Sequence, residues 1–209
     1  MNNISILGAG NVGRALAQNL SAIGERVIFG VPDPAKYADM AAGIGASITG
    51  VEQAIAAAEL IILAVPYAAA LAVAAQISDW NNRIIIDATN PLAPGLAGLS
   101  VGTTTSAAEQ IALRANNARV VKCFNVTGAE NMADPCSAKS KVFMPAASDD
   151  ARARTVVLAL ATRMGFDAVD AGPLMAARYL EGFAMTWIHL AFAMGKGRNW
   201  AFSCVPMRD

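Results

Sequence analysis

Ile4 to Gly24 reads ISILGAGNVGRALAQNLSAIG, and this stretch decides the fold. The apolar run Ile4-Ser5-Ile6-Leu7 has the character of a buried strand. It ends in Gly8-Ala9-Gly10-Asn11-Val12-Gly13, and Val12, Leu16, Leu20 and Ile23 then recur at helical spacing. Strand, glycine turn and helix are the context that gives G-x-G-x-x-G a meaning. Gly8 allows the tight turn, Gly10 leaves the backbone open to a pyrophosphate, and Gly13 lets the helix lie close to the strand. The first N–H groups of the helix and the positive end of its dipole then face the phosphate. Gly8, Ala9, Gly10, Asn11, Val12 and Gly13 are therefore the expected dinucleotide-phosphate site.

Working outward, strands and helices alternate. Further strands are expected at Arg26 to Gly30, Ala46 to Ile48, Leu60 to Val65, Arg83 to Asp87, Arg119 to Phe124, Val142 to Ala146 and Phe166 to Asp170. The helices between them are expected after Pro34, at Val51 to Ala58, Tyr67 to Ile77 and Thr104 to Ala115, and from Asp149 or Asp150 to Met164. Ser106 and Glu109 have the spacing of a capping box. Residues 93–103 and Asn125 to Pro135 read as loops. The alternation predicts an α/β fold, a Rossmann-like, doubly wound and mostly parallel sheet. Residues 1–173 form the dinucleotide-binding unit. Residues 174–209 add a helix from about Met175 to Met194 and a tail without a clear period, packed on that unit or on a second subunit.

The bulk numbers exclude other classes. Sixteen basic and sixteen acidic residues cancel, and no charge run points to nucleic acid or a membrane surface. Leu60 to Ala75 is uncharged but too short to span a bilayer, and Pro66 interrupts it. A buried strand followed by an Ala-rich helix explains it. Cys123, Cys136 and Cys204 are widely spaced with no metal-ligand pattern, which fits a reducing compartment. Met1-Asn2-Asn3 leaves no room for a signal peptide before the first strand, so a cytoplasmic location is expected.

Ligands of an open parallel sheet bind beyond the carboxyl ends of its strands. The residues expected there are Val31, Pro32 and Lys36 after the second strand, Ala64, Val65, Pro66 and Tyr67 after the fourth, Asn90 and Pro91 after the fifth, and Asn125 after the sixth. Asp33 lies twenty residues after Gly13 and could meet ribose hydroxyls, whereas Lys36 could reach a 2′-phosphate. His189, the only histidine, sits among apolar residues and is expected to be packed in a core or an interface rather than to donate a proton. No Ser/His/Asp set and no side-chain acid is in evidence. Reducing a carbonyl needs a proton donor, whereas hydride passing between two cofactors needs mainly stacking and orientation. A non-catalytic nucleotide sensor and a small imine or carbonyl reductase are the rival readings.

With these residues in view, the sequence resembles the coenzyme F420-dependent NADP oxidoreductases and their bacterial dinucleotide-binding relatives. The resemblance is carried by ISILGAGNVGRALAQNL, LAVPY, DATNPL, TTSAAEQIA, VVKCFNVTGAENM, DAGPL and ARYLEGFAMTWIHLAF. It implies NADP(H) along the sheet edge, pyrophosphate on Gly10 to Val12, and a deazaflavin (F420) or flavin stacked on the nicotinamide under the C-terminal part, with no side-chain acid. Two departures stand out. Relatives commonly carry an Arg-bearing pair after Gly30, where this chain has Val31-Pro32, so NAD is open beside NADP and Lys36 is left as the phosphate-binding residue. Deazaflavin-linked members carry a histidine where this chain has Asn125, whose amide could donate a hydrogen bond to a ring carbonyl. The last helix is apolar nearly all round, so a homodimer is expected.

Overall fold

The computed structural model describes residues 3–205 and 207. Six strands form one sheet: β1 (Asn3–Leu7), β2 (Arg26–Gly30), β3 (Ser47–Thr49), β4 (Leu60–Leu63), β5 (Ile84–Asp87) and β6 (Arg119–Lys122). Their order is β3-β2-β1-β4-β5-β6, and every neighbouring pair is parallel. The Rossmann-like α/β class read from the alternation is the observed one. Strand order reverses at β1, so the loops leaving β1 and β4 diverge and open a crevice at their carboxyl ends.

The helices are α1 (Asn11–Ala22), α2 (Ala38–Ile44), α3 (Val51–Ala56), α4 (Tyr67–Gln76), α5 (Ala107–Ala112), α6 (Ala129–Ala133), α7 (Ala151–Arg163) and α8 (Ala177–Ile188). They cover both faces of the sheet, which is why the strands are apolar without alternation. Along β4, Ile61 and Leu63 enter one core with Ile55, Ala70 and Ile111. Ile62 enters the other with Leu16, Leu20, Val157 and Leu160. The Leu60 to Ala75 stretch is thus β4 and most of α4. Among the described residues no helix is long and apolar enough to cross a membrane.

Local signals act as expected at two helix starts. Ser106 Oγ accepts from Glu109 N at 3.1 Å and donates to Glu109 Oε2 at 2.8 Å, closing the capping box. Asp150, rather than Asp149, caps α7 by accepting from Ala153 N at 2.8 Å. Asp149 instead accepts from Leu174 N and fastens the entry to the last helix.

Three expectations are corrected. β7 (Phe143–Ala146) and β8 (Asp167–Asp170) do not extend the parallel sheet; they pair with each other and join β6 through one antiparallel bridge, Lys122 to Ala147. An antiparallel neighbour needs no crossover helix, and residues 123–142 contain just the five-residue α6 and a 3-10 turn at Pro135–Ser137. That helix is the second correction, since Asn125 to Pro135 reads as a loop. Five residues show no period, but α6 packs on α1, where buried Asn19 Nδ2 donates to Met132 O and Met164 O at 3.0 and 3.1 Å. Third, the last helix is segmented. A 3-10 turn at Leu174–Ala176 leads into α8, which relaxes into a π-helical turn at His189–Ala193.

The buried stripe of α8 runs through Ala177, Leu180, Glu181, Ala184, Trp187 and Ile188. His189 falls outside this stripe and is exposed, so it is not a core residue of this chain. Met175, Tyr179, Phe192 and Met194 are exposed as well. The tail after Gly195 has no period because aromatic rings fasten it. Trp200 stacks on Trp187 with centroids 5.7 Å apart, Phe202 packs on Phe183 at 4.3 Å, and Trp187 Nε1 donates to Trp200 O at 3.0 Å.

Candidate functional site

The turn between β1 and α1 is shaped by contacts that exclude side chains. Gly8 has φ +107°, and a Cβ there would lie 2.5 Å from Ala64 O. A Cβ on Gly13 would lie 2.1 Å from Gly8 O, so the helix can approach the strand only with glycine at this position. Gly10 differs: a Cβ there would meet nothing within 4 Å, because the residue faces open space at the helix start. Gly10 is the N-cap residue of α1 and no side chain caps the helix. The leading N–H groups are left to a ligand or water, which is the geometry a pyrophosphate needs.

A cavity of about 370 Å³ opens from this turn across the carboxyl ends of β4, β5 and β6. It brings together Gly10, Asn11, Val12, Ala64, Val65, Pro66, Asn90 and Asn125 of the expected site residues. Thr89, Trp187 and Arg198 also line it. Gly8, Ala9 and Gly13 lie behind it as the frame of the turn. Pro91 is buried, and Tyr67 is half-buried at the start of α4. Burial first, and then the Glu181 and Asp87 carboxylates against the opposing charge of Arg114, hold the Tyr67 phenol above its usual range.

Val31 and Pro32 are not in this cavity. They line a second hollow of about 250 Å³, with Gly50, Gln53 and Gln76, at the end of β2. Lys36 is exposed, with its Nζ 5.4 Å from the Tyr37 ring centroid and its backbone N–H donating to Asp33 Oδ1 at 3.4 Å. The sheet thus places the second-strand residues apart from the first cavity, on the other side of the glycine turn in strand order.

The far wall of the cavity rests on three charged side chains that sequence reasoning missed. Lys122 Nζ lies 2.9 Å from Asp87 Oδ2 and 2.9 Å from Glu181 Oε1, and all three side chains are buried. Burial works against the ammonium, but the Asp87 and Glu181 carboxylates outweigh it and hold the Lys122 pKa above the usual lysine range. Lys122 Nζ also donates to Thr89 O at 2.6 Å, and Thr89 N donates to Asp87 Oδ1 at 2.9 Å. Glu181 accepts from Ala107 N and Ala108 N at 3.0 and 3.4 Å. One cluster therefore ties the ends of β5 and β6 to α5 and α8. Asp87 and Lys122 are register partners on adjacent strands, a signal available once the strands are aligned. Glu181 has no such signal.

Asn125 corrects the expected polarity. Its Nδ2 donates to Asn90 Oδ1 at 3.0 Å and to Leu180 O at 3.2 Å, while Asn90 Nδ2 donates to Asn125 O at 2.9 Å. Both amide hydrogens are committed, so this side chain has no donor left for a ligand, and its Oδ1 is buried without a partner. Asn125 follows Phe124, a buried residue held at φ +58°. A left-handed bulky residue is uncommon and marks a backbone fixed by its surroundings. Glu130 and Arg198 are the charged residues that line the cavity, and they pair with each other at 2.5 Å. Among the described residues no group of His, Cys, Asp and Glu side chains could hold a metal ion.

Residues 3–91 match the family described as NADP oxidoreductase, coenzyme F420-dependent. The resemblance carried by the sequence motifs is borne out. A crystal structure from Arthrobacter sp. FB24, provisionally described as an F420-dependent NADP reductase, is similar with a TM-score of 0.86 and 27% identity. The match covers 98% of this chain and 100% of that one. A hypothetical protein from Sinorhizobium meliloti is 28% identical with a TM-score of 0.80, over 88% of this chain and 91% of the other. An imine reductase from Pseudomonas sp. shares the fold at 18% identity and a TM-score of 0.65. That match covers 93% of this chain and 62% of the enzyme. No curated protein matches the chain.

Proposed function

We propose that this relative of the F420-dependent NADP oxidoreductases binds NADP(H) across the carboxyl ends of β1, β4 and β5 and exchanges hydride with a flavin-like or deazaflavin partner in the cavity. The pyrophosphate rests on the N–H groups at Gly10 to Val12. The adenosine end lies toward Val31 and Pro32, where Lys36 supplies the cation nearest a 2′-phosphate, and the nicotinamide end lies toward Pro66 and Asn90. The observation that carries the reading is the cavity lining. It is neutral apart from Glu130 and Arg198, which neutralise each other. The bound cofactors supply the redox chemistry; the chain's own residues bind, orient and exclude water, with Trp187, Ile188 and Phe192 giving an apolar surface for a planar ring. The exposed apolar residues of the last helix outside the cavity, Met175, Tyr179 and Met194, are the surface we assign to a second copy in a homodimer.

The test is NADPH oxidation followed at the nicotinamide absorbance band with F420, FMN, FAD and a cyclic imine as acceptors in turn. Turnover with F420 or a flavin is expected. Turnover with the imine alone replaces the proposal with the imine-reductase reading. Tight binding with no oxidation replaces it with a sensor. The same titration with NADH and with Lys36→Ala examines the phosphate end. An unchanged NADPH preference in the variant removes Lys36 from the site.

A further inference from the structure

The cavity lining is neutral except at one place, and that place is accessible. Among the described residues that line it, Glu130 and Arg198 are the charged ones. Their side chains are 36% and 47% exposed, and Arg198 Nη2 lies 2.5 Å from Glu130 Oε1. The pair joins α6 to the tail. The tail backbone around Arg198 is anchored. Gly197 N donates to Ala191 O at 3.1 Å, and Asn131 Nδ2 donates to Arg198 O at 3.4 Å and to Trp200 O at 2.8 Å. The pair also stands beside the Trp187 ring. A Cβ on Gly128 would lie 2.7 Å from Trp187 Cη2 and 3.1 Å from Glu130 Oε2, so ring edge and carboxylate border the same point. A flexible, half-exposed cation thus hangs from a fixed backbone at the cavity rim, next to the apolar surface assigned above to a planar ring.

An ion pair this exposed adds little to stability, because both groups stay hydrated and salt screens them. The strap is already fastened by the Trp187–Trp200 stack and the Asn131 hydrogen bonds. The pair has a clearer use as a store for a guanidinium. Arginine presents a planar fork that meets phosphate through two parallel hydrogen bonds. A phosphate monoester carries about two negative charges at neutral pH, against one on a carboxylate, so it can draw the guanidinium away from Glu130. We propose that Arg198 is a phosphate-binding arm for a nucleotide in the cavity, and that Glu130 holds the guanidinium until the phosphate arrives. This inference rests on the nucleotide reading above. Two phosphates of that reading are candidates. One is the acceptor's own, with its ring on Trp187. The other is the pyrophosphate at Gly10 to Val12, which line the same cavity.

The experiment measures binding to the full chain by calorimetry for FMN, riboflavin and NADPH, in the wild type, Arg198→Met and Glu130→Gln. FMN and riboflavin differ only in the phosphate. FMN should bind about tenfold more tightly than riboflavin in the wild type. Arg198→Met should abolish that difference and leave riboflavin unchanged, whereas Glu130→Gln should widen it by freeing the guanidinium. Arg198→Lys keeps the charge but not the fork and should fall between wild type and Arg198→Met. The opposite signs of the two main variants are the signature, since a pair that merely fastened the strap would make both weaken every ligand alike. If FMN and riboflavin bind equally while NADPH binding weakens in Arg198→Met and tightens in Glu130→Gln, the phosphate is the dinucleotide's. Shifts of the same sign in both variants, no shift for FMN or NADPH in either, or a loss for riboflavin as large as that for FMN overturn the proposal and leave the nucleotide reading standing. Absence of any NADPH or flavin binding to the wild type removes that reading and this inference with it.

Discussion

The glycine turn and the far wall face each other across one cavity and are built by opposite means. The turn consists of consecutive residues, Gly8 to Gly13, and its shape comes from backbone packed on backbone. The wall is assembled from Asp87, Thr89, Asn90, Lys122, Asn125, Leu180 and Glu181, which lie on two strand ends and the last helix. The turn excludes side chains, whereas the wall is made of them. A local device of this kind fails one residue at a time, and a network of buried polar groups fails as a unit.

The largest effect that would break the comparison is at Lys122. Lys122→Met removes the cation that sits between two buried carboxylates, and such a loss costs about 3–5 kcal/mol. Urea unfolding should show the loss directly, and the Asn125 and Thr89 positions should loosen with it. A stability close to wild type would mean that the wall is not a unit. Next in size is a pair of substitutions in the turn. Gly13→Ala drives a Cβ into Gly8 O and should destabilise by ~1–3 kcal/mol, as overpacking does. Gly10→Ala meets open space and should leave the melting temperature nearly unchanged while weakening NADPH binding in a titration. If both glycines behave alike, the division between frame and ligand face is wrong.

A smaller effect sharpens the wall's outer edge. Arg178 donates to both oxygens of Glu109, from Nε at 2.9 Å and from Nη2 at 2.6 Å, and joins α5 to α8. The hydrogen bond from Arg178 holds the Glu109 carboxyl below the usual glutamate range, with partial burial opposing. A depressed carboxylate contributes stability that is fully present above its unfolded value, about 4.3, and is lost as pH falls through its folded value. Glu109→Gln should therefore melt below wild type at pH 7, and the two melting curves should converge in acid. A gap that stays constant down to low pH would assign the effect to packing instead.

The difference between the two regions also governs what the sequence reveals. Ile4 to Gly24 is legible because its constraints are local: a positive φ at Gly8 and a close approach at Gly13 both demand glycine within a few residues. Ser106 and Glu109 are legible for the same reason. Helix α6 is hidden because five residues carry no period, and His189 misleads because its apolar neighbours in sequence point elsewhere around the helix. The strand end places Asn125 at the site, but the direction of its amide depends on Asn90 and Leu180, the latter 55 positions away. Glu181 reads as one polar residue in an apolar helix until the fold brings it to Lys122. The motifs that carry the family resemblance include LEGFAM around Glu181, so the pattern was visible before its physical cause was.

The strap at the chain's end has an optical consequence. Of three indoles, Trp80 lies fully buried in the core behind α4, with Nε1 donating to Ala74 O at 3.2 Å. Trp187, which lines the cavity, stacks on Trp200 with the planes 22° apart. Two coupled chromophores therefore watch the cavity while the third watches the core. Their exciton couplet in far-ultraviolet circular dichroism reports whether the strap is in place, and quenching of the pair distinguishes occupancy of the cavity from unfolding, which alone would change Trp80.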